Sequence, residues 1–326
     1  MTDTEKQEIA LETSEAQEAA QQAEPVKKGL FGRKKAPVQY EEKTFLGIKY
    51  KKKIEPKRPW WVEALSWVLT FAVALMVAIP IRFLVIEPVR VDGHSMDDTL
   101  SDGEIMYVDK TRYASGWFSL PWQSDEAKQD AARFTVGGDP ARFDVVICRY
   151  PDRGDTNFVK RVVGQPGDTL KLDQDGYLWV NGEKYDEPYV SSEYRTGYQT
   201  PYAEFTVPKK GDALTVTSGQ LCVNGVAWRW RSRGEIWGLS ADGQKLELKH
   251  GGLWLDGKSV DVSAVEEGKV FTLQSDYFFL MGDHRNNSND SRAVGPVERS
   301  MIIGRVARVL LPLGKGRAVV NGLDWK

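Results

Sequence analysis

The chain has 326 residues, 41% of them hydrophobic, which is enough for a substantial core in one large domain or two smaller ones. A formal net charge of −2 and only two cysteines exclude a polycationic nucleic-acid binder and a disulfide-built scaffold. The charge is unevenly spread: residues 1–24 hold seven acids against one base, Lys6, and residues 27–58 hold twelve bases against Glu41, Glu42 and Glu55. That split points to tails and a membrane rather than to nucleic acid.

Residues 1–26 are rich in Glu, Gln and Ala and poor in large apolar side chains, so disorder or a marginal helix is expected there. Residues 27–58 read as a basic juxtamembrane segment. Trp60-Trp61 open an apolar stretch that carries no charge from Ala64 to Ile81. At ~1.5 Å per residue it spans about 27 Å, close to the thickness of a bilayer's hydrocarbon core. A transmembrane helix over 59–86 is expected, with Arg82 snorkelling and the two tryptophans at the interface. A cleaved signal peptide is not expected, because the basic region is long and no A-x-A site follows. The bases ahead of the helix set the N-terminus inside and everything after about residue 86 outside.

Beyond Leu100 the pattern is one of short strands and turns. Glu104–Asp109 reads as a strand, and Trp117–Trp122 as an aromatic cluster that either packs in a core or dips into the bilayer interface. Phe143–Arg149 and Phe158–Gly164 read as strands, the second closed by the turn Gln165-Pro166-Gly167-Asp168. A motif then recurs at 167–182, 211–225 and 243–257: strand, turn, strand, ending in Asn181-Gly182, Asn224-Gly225 and Asp256-Gly257. Such pairs favour type I′ hairpin turns, and three copies are too few for a propeller. Phe271–Leu273 and Tyr277–Met281 read as strands leading into a dense polar loop, 282–292, and Ile302–Leu311 as a last apolar strand. Cys148 and Cys222 read as buried apolar residues, with a single bridge possible. His94, His250 and His284 are too scattered for a zinc site.

The stretch Val91–Leu100 places Ser95 just outside the membrane segment. A serine nucleophile needs a base. His94 is poorly placed if the stretch is extended, because neighbours on a strand point to opposite faces. Lys160 alternates with Phe158 and Val162 and so faces apolar neighbours. At the ordinary lysine pKa of about 10.4, roughly one amine in 2500 is neutral at pH 7, a deficit of about 4.6 kcal/mol. Desolvation must therefore bring it down, with a hydroxyl from Ser288 or Ser291 orienting the amine.

Four segments in this order resemble bacterial type I signal peptidase, the membrane-bound Ser–Lys endopeptidase. They are Gly93–Leu100, Phe143–Val146, Phe158–Asp168 and Gly282–Arg292. The resemblance implies a mainly β catalytic core whose substrate binds as an added strand. It implies Ser95 as nucleophile, Lys160 as general base, Ser288 as the hydroxyl that orients the amine, Asp290 and Arg292 as an ion pair, and Gly282 as room near the lysine. It implies no cofactor and no metal. The implied partners are signal peptides of secreted preproteins with A-x-A sites, membrane lipid, and a nearby translocation machinery. Gly93 stands where some members carry a hydroxyl donor, Asp98 where proline is usual, and His284 where asparagine is usual; no role is assigned to His284.

The expected organisation is a cytoplasmic tail over 1–58, acidic then basic and disordered, and a membrane helix over 59–86. An extracytoplasmic catalytic domain follows over 87–312, with an enlarged β-hairpin lobe inserted at about 185–266, and then a tail over 313–326. A self-cleaving repressor of related fold does not account for the membrane helix, and the branch that uses histidine as base does not account for Lys160. A catalytically idle, membrane-tethered β-domain binding protein is the alternative from another class.

Overall fold

The computed structural model describes residues 40–45, 48–53, 59–84, 86–113, 115–117, 133–135, 138–150, 156–197, 199–230, 234–312 and 316–322. The readings made for residues 1–26, for the side chains of the Trp117–Trp122 cluster and for residues 151–155 lie outside them. Two units are distinguished, 1–72 and 73–326.

In the first unit, Tyr40–Phe45 pairs antiparallel with Ile48–Lys53. The tail expected to be without regular structure thus contains a hairpin. Its register sets Glu41 opposite Lys52 and Glu42 opposite Lys51. The stretch that carries no charge from Ala64 to Ile81 lies within a helix, Trp60–Leu84, that starts in this unit and ends in the second. Trp60–Ala78 is long and apolar enough to cross a membrane, and none of that stretch is buried in the protein.

The second unit is built on an antiparallel sheet whose strands lie in the order Val297–Glu298, Tyr277–Met281, Asn157–Gly164, Val145–Arg149, Ile302–Leu311, Ile105–Asp109 and Ile86–Arg90. Period-two alternation sorts its side chains between two cores. Val145 and Ile147 join Val91, Met96, Leu100, Met106 and Val306 on one face. Val146 and Cys148 join Val162, Phe278, Leu280 and Ile302 on the other. Both faces being covered explains why Tyr277–Met281 is apolar at every position and buried throughout.

Two further sheets hold the repeats. The first copy lies in a four-stranded sheet with Tyr202–Thr206, and the second and third share an eight-stranded sheet. Both residues of each terminal pair have positive φ, between 48° and 83°, as a type I′ turn requires. A second device fixes the register. The side chains of Asn181, Asn224 and Asp256 accept from the backbone N–H of Thr169, Ala213 and Lys245, at 2.8–2.9 Å. Phe271–Leu273 inserts between Ala213–Thr217 and Ile236–Ser240, so the pairing of these sheets runs from Thr169 to Leu273. Their core is continuous with that of the seven-strand order above through Phe143, Val163, Tyr277, Phe279 and Met281.

Candidate active site

Ser95 sits in a turn, and the strand geometry used to discount His94 does not apply there. His94 is nonetheless turned elsewhere: its Nδ1 lies 3.3 Å from Asp97 Oδ2 and its side chain is 62% exposed. The turn is pinned from below by Met96 and Leu100, both buried, and closed by N–H groups of Thr99 and Leu100 donating to Met96 O at 3.0 and 2.7 Å. Among the described residues the Ser95 N–H donates to no acceptor. Asp98 has φ +77°, which a proline ring cannot adopt, so aspartate follows a backbone route closed to the residue usual at this position. At Gly93 a side chain would meet nothing within 4 Å, but φ is +99°, so the backbone rather than space favours glycine.

Lys160 lies on the Asn157–Gly164 strand, opposite Val146, and is 2% exposed. Its Nζ is 2.7 Å from Ser95 Oγ and donates to Val159 O at 2.9 Å. Burial is the largest influence on the amine and holds its pKa below the ordinary lysine range, although Cys148, Asp290 and Asp283 pull it back up. Beside it, burial pushes the Cys148 thiol up to about 12. Cys148 and Cys222 are both free and buried.

The polar loop closes over this pair. Gly282 is there because a Cβ would run into Ser95 O and Ser288 Oγ, so the room it provides is for the Ser95 backbone and for Ser288. Ser288 Oγ is buried and makes no close hydrogen bond among the described residues, though it lies near enough to Asp290 to favour that carboxylate, and the amine of Lys160 is held by Val159 O. Asp290 and Arg292 form a buried ion pair at 2.8 Å. Burial raises the Asp290 carboxyl, but Arg292 and the Gly282 N–H more than offset this and hold it below the usual carboxylate range.

Several groups escaped the sequence reading. Asp283 takes Arg161 through Nε and Nη2 at 2.9 and 2.7 Å, and also accepts from Thr99 Oγ1 at 2.5 Å. It thereby ties the nucleophile turn to the residue next to Lys160. Glu187, fully buried, takes the guanidinium of Arg285 and the hydroxyl of Tyr189. Arg161 also lies over the Tyr189 ring, 3.8 Å from its centre. The Asp283–Thr99, Asp283–Arg161 and Glu187–Arg285 partners are separated by 98–184 residues, and no local spacing announces them.

The family model for signal peptidase, peptidase S26, matches residues 64–311. The chain belongs to this family. It is 30% identical over 224 residues to signal peptidase I of Pseudomonas aeruginosa, covering 68% of this chain and 60% of that one. It is 31% identical over 225 residues to signal peptidase I of Streptococcus pneumoniae, with 69% of this chain and 82% of that one covered. The chain thus spans 60% of the length of the Pseudomonas relative. A crystal structure of a signal peptidase I from Enterococcus faecalis aligns over 53% of this chain and 98% of that one, at 22% identity and a TM-score of 0.27.

Proposed function

We propose that this signal peptidase family member is a membrane-anchored serine endopeptidase that removes N-terminal signal peptides from translocated preproteins, with Ser95 as nucleophile and Lys160 as general base. The observation that carries the reading is the 2.7 Å approach of Lys160 Nζ to Ser95 Oγ, with the amine buried. A neutral amine has two N–H groups and one lone pair. With Val159 O accepting one N–H, the lone pair is free to take the Ser95 hydroxyl proton.

Ser95 Oγ attacks the scissile carbonyl as its proton passes to Lys160 Nζ. The unspent Ser95 N–H stabilises the tetrahedral oxyanion. Lys160 then returns the proton to the leaving amine as the C–N bond breaks, leaving an ester on Ser95. Water gives a proton to Lys160 and attacks the ester, and Oγ leaves with the proton restored. In this reading Ser288, buried in the same loop, orients the amine, the Asp290–Arg292 pair holds the loop, and Gly282 leaves room beside it for Ser95 O and Ser288 Oγ. Substrate adds as a strand. The outer side of Ile86–Arg90, at one edge of the sheet, supports this, as does the Asn157–Lys160 half of the strand Asn157–Gly164 farther across it, where Tyr277–Met281 pairs only from Arg161 onward.

The organisation proposed with this activity has residues 1–58 cytoplasmic, a membrane helix within 59–86, the catalytic domain outside over 87–312, and a tail from 313. Small pockets select an A-x-A site, and the enzyme works beside membrane lipid and the translocation machinery. The test is cleavage of an A-x-A preprotein in detergent. Ser95→Ala and Lys160→Ala should each abolish it while the thermal unfolding curve is retained. Full activity in folded Lys160→Ala would falsify the assignment.

A further inference from the structure

Three consecutive residues of the polar loop each clasp a different part of the segment 187–197. The ring of His284 stacks on Tyr194, with centroids 3.7 Å apart and planes 24° from parallel. Arg285 is paired with the fully buried carboxylate of Glu187 and donates through Nε to Gly282 O at 3.1 Å. Asn286 Nδ2 donates to Glu193 O at 3.3 Å, and Gly197 approaches the Asn286 Cβ so closely that any side chain at 197 would collide with it. Arg195 holds the segment's own shape by donating through Nη2 to Glu187 O and Val190 O.

The other side of His284 grips the nucleophile. Its backbone N–H donates to Ser95 O at 3.2 Å. Its Nδ1 is 3.0 Å from His94 O and 3.3 Å from Asp97 Oδ2. Fixing the carbonyls of residues 94 and 95 fixes the peptide planes on both sides of the Ser95 Cα. Those planes decide where Oγ and the Ser95 N–H point. Among the described residues, Tyr194 is the one aromatic ring stacked against the ring that makes one of these grips.

We propose that the 187–197 segment is a positioning clamp on the nucleophile, acting through the Tyr194–His284 stack. The inference rests on the reading of Ser95 as nucleophile. Tyr194 and His284 are positioning residues: neither touches Lys160 Nζ or Ser95 Oγ. The clamp gives this part of the chain, left without a role by the sequence reading, a direct hold on the chemistry.

The experiment uses the full chain in detergent with an A-x-A preprotein, measuring kcat, KM and the unfolding temperature of wild type, Tyr194→Ala, Tyr194→Phe and His284→Asn. Displacing a reacting group by a fraction of an ångström to 1 Å costs on the order of 10- to 100-fold, so Tyr194→Ala should lose about tenfold in kcat with KM unchanged. Tyr194→Phe keeps the ring and should retain kcat, whereas His284→Asn keeps a side-chain donor but loses the stacked ring and should lose kcat as Tyr194→Ala does. Tyr194 is half-buried, so its removal should leave the unfolding temperature near wild type. The clamp is overturned if kcat in Tyr194→Ala is unchanged. It is equally overturned if KM rises alone, which marks a substrate contact, or if Phe is as poor as Ala and the loss follows a lowered unfolding temperature. A wild-type chain that cleaves nothing removes the functional reading, and the clamp with it, whereas a wild type that cleaves as well as Tyr194→Ala removes the clamp alone.

Discussion

Replacing Gly282 by alanine adds one carbon at the most crowded point of the site. The new Cβ would fall well inside van der Waals contact of both Ser95 O and Ser288 Oγ, and 2.6 Å from Ser288 Cβ, where ordinary contacts begin near 3.4 Å. Neither neighbour has a free way out. Ser95 O is backbone and accepts from His284 N–H, and Ser288 Oγ is already buried. Relief requires the turn and the loop to separate by on the order of 1 Å, a displacement that can cost about 100-fold in rate, or about 2.7 kcal/mol in barrier. Overpacking of this kind costs roughly 1–3 kcal/mol of stability, which lowers the unfolding temperature by about 2–12 °C. The assay is kcat on an A-x-A preprotein at a temperature where the variant is fully folded. A Gly282→Ala enzyme with wild-type kcat and wild-type unfolding temperature would refute the claim that glycine is there to leave room for Ser95 O and Ser288 Oγ.

Arg292→Ala leaves the Asp290 carboxylate buried without its cation, a defect worth about 3–5 kcal/mol. Thermal unfolding should fall by roughly 6–20 °C, and a change within error would mean that the pair carries no structural load. Lys160→Met should move stability the other way. With its pKa depressed in the folded state, Lys160 binds a proton more weakly folded than unfolded. The unfolded chain therefore holds the extra proton between the folded pKa and about 10.4, and stability rises with pH across that window. Methionine should raise the unfolding temperature near neutrality, with an advantage that shrinks as pH climbs toward about 10. An advantage that grows with pH contradicts the burial argument.

What could be read from the sequence was what is local. The type I′ turns at Asn181-Gly182, Asn224-Gly225 and Asp256-Gly257 follow from two residues each, and the alternation around Lys160 correctly set it among apolar neighbours. The apolar run from Trp60 fixed its own helix. What could not be read depends on residues far apart meeting. Phe271–Leu273 completes a sheet begun near residue 213, and Asp283 serves Arg161 and Thr99 at once. His284 gained a partner in Tyr194, 90 positions earlier, for which the 282–292 motif gives no sign. The strand geometry used to discount His94 does not hold, since Ser95 lies in a turn whose shape depends on Met96 and Leu100 finding the core; the His94 ring is turned toward Asp97 instead.

The central claim is that a buried Lys160, neutral near working pH, takes the proton from Ser95. The pH dependence of kcat/KM on an A-x-A preprotein tests it most directly, because its acid limb reports the base of the free enzyme. The account predicts that activity rises with pH along a limb whose midpoint lies clearly below the ordinary lysine value of about 10.4, and that folded Lys160→Ala has no measurable activity to profile. A limb that survives in Lys160→Ala with its midpoint unmoved would contradict it.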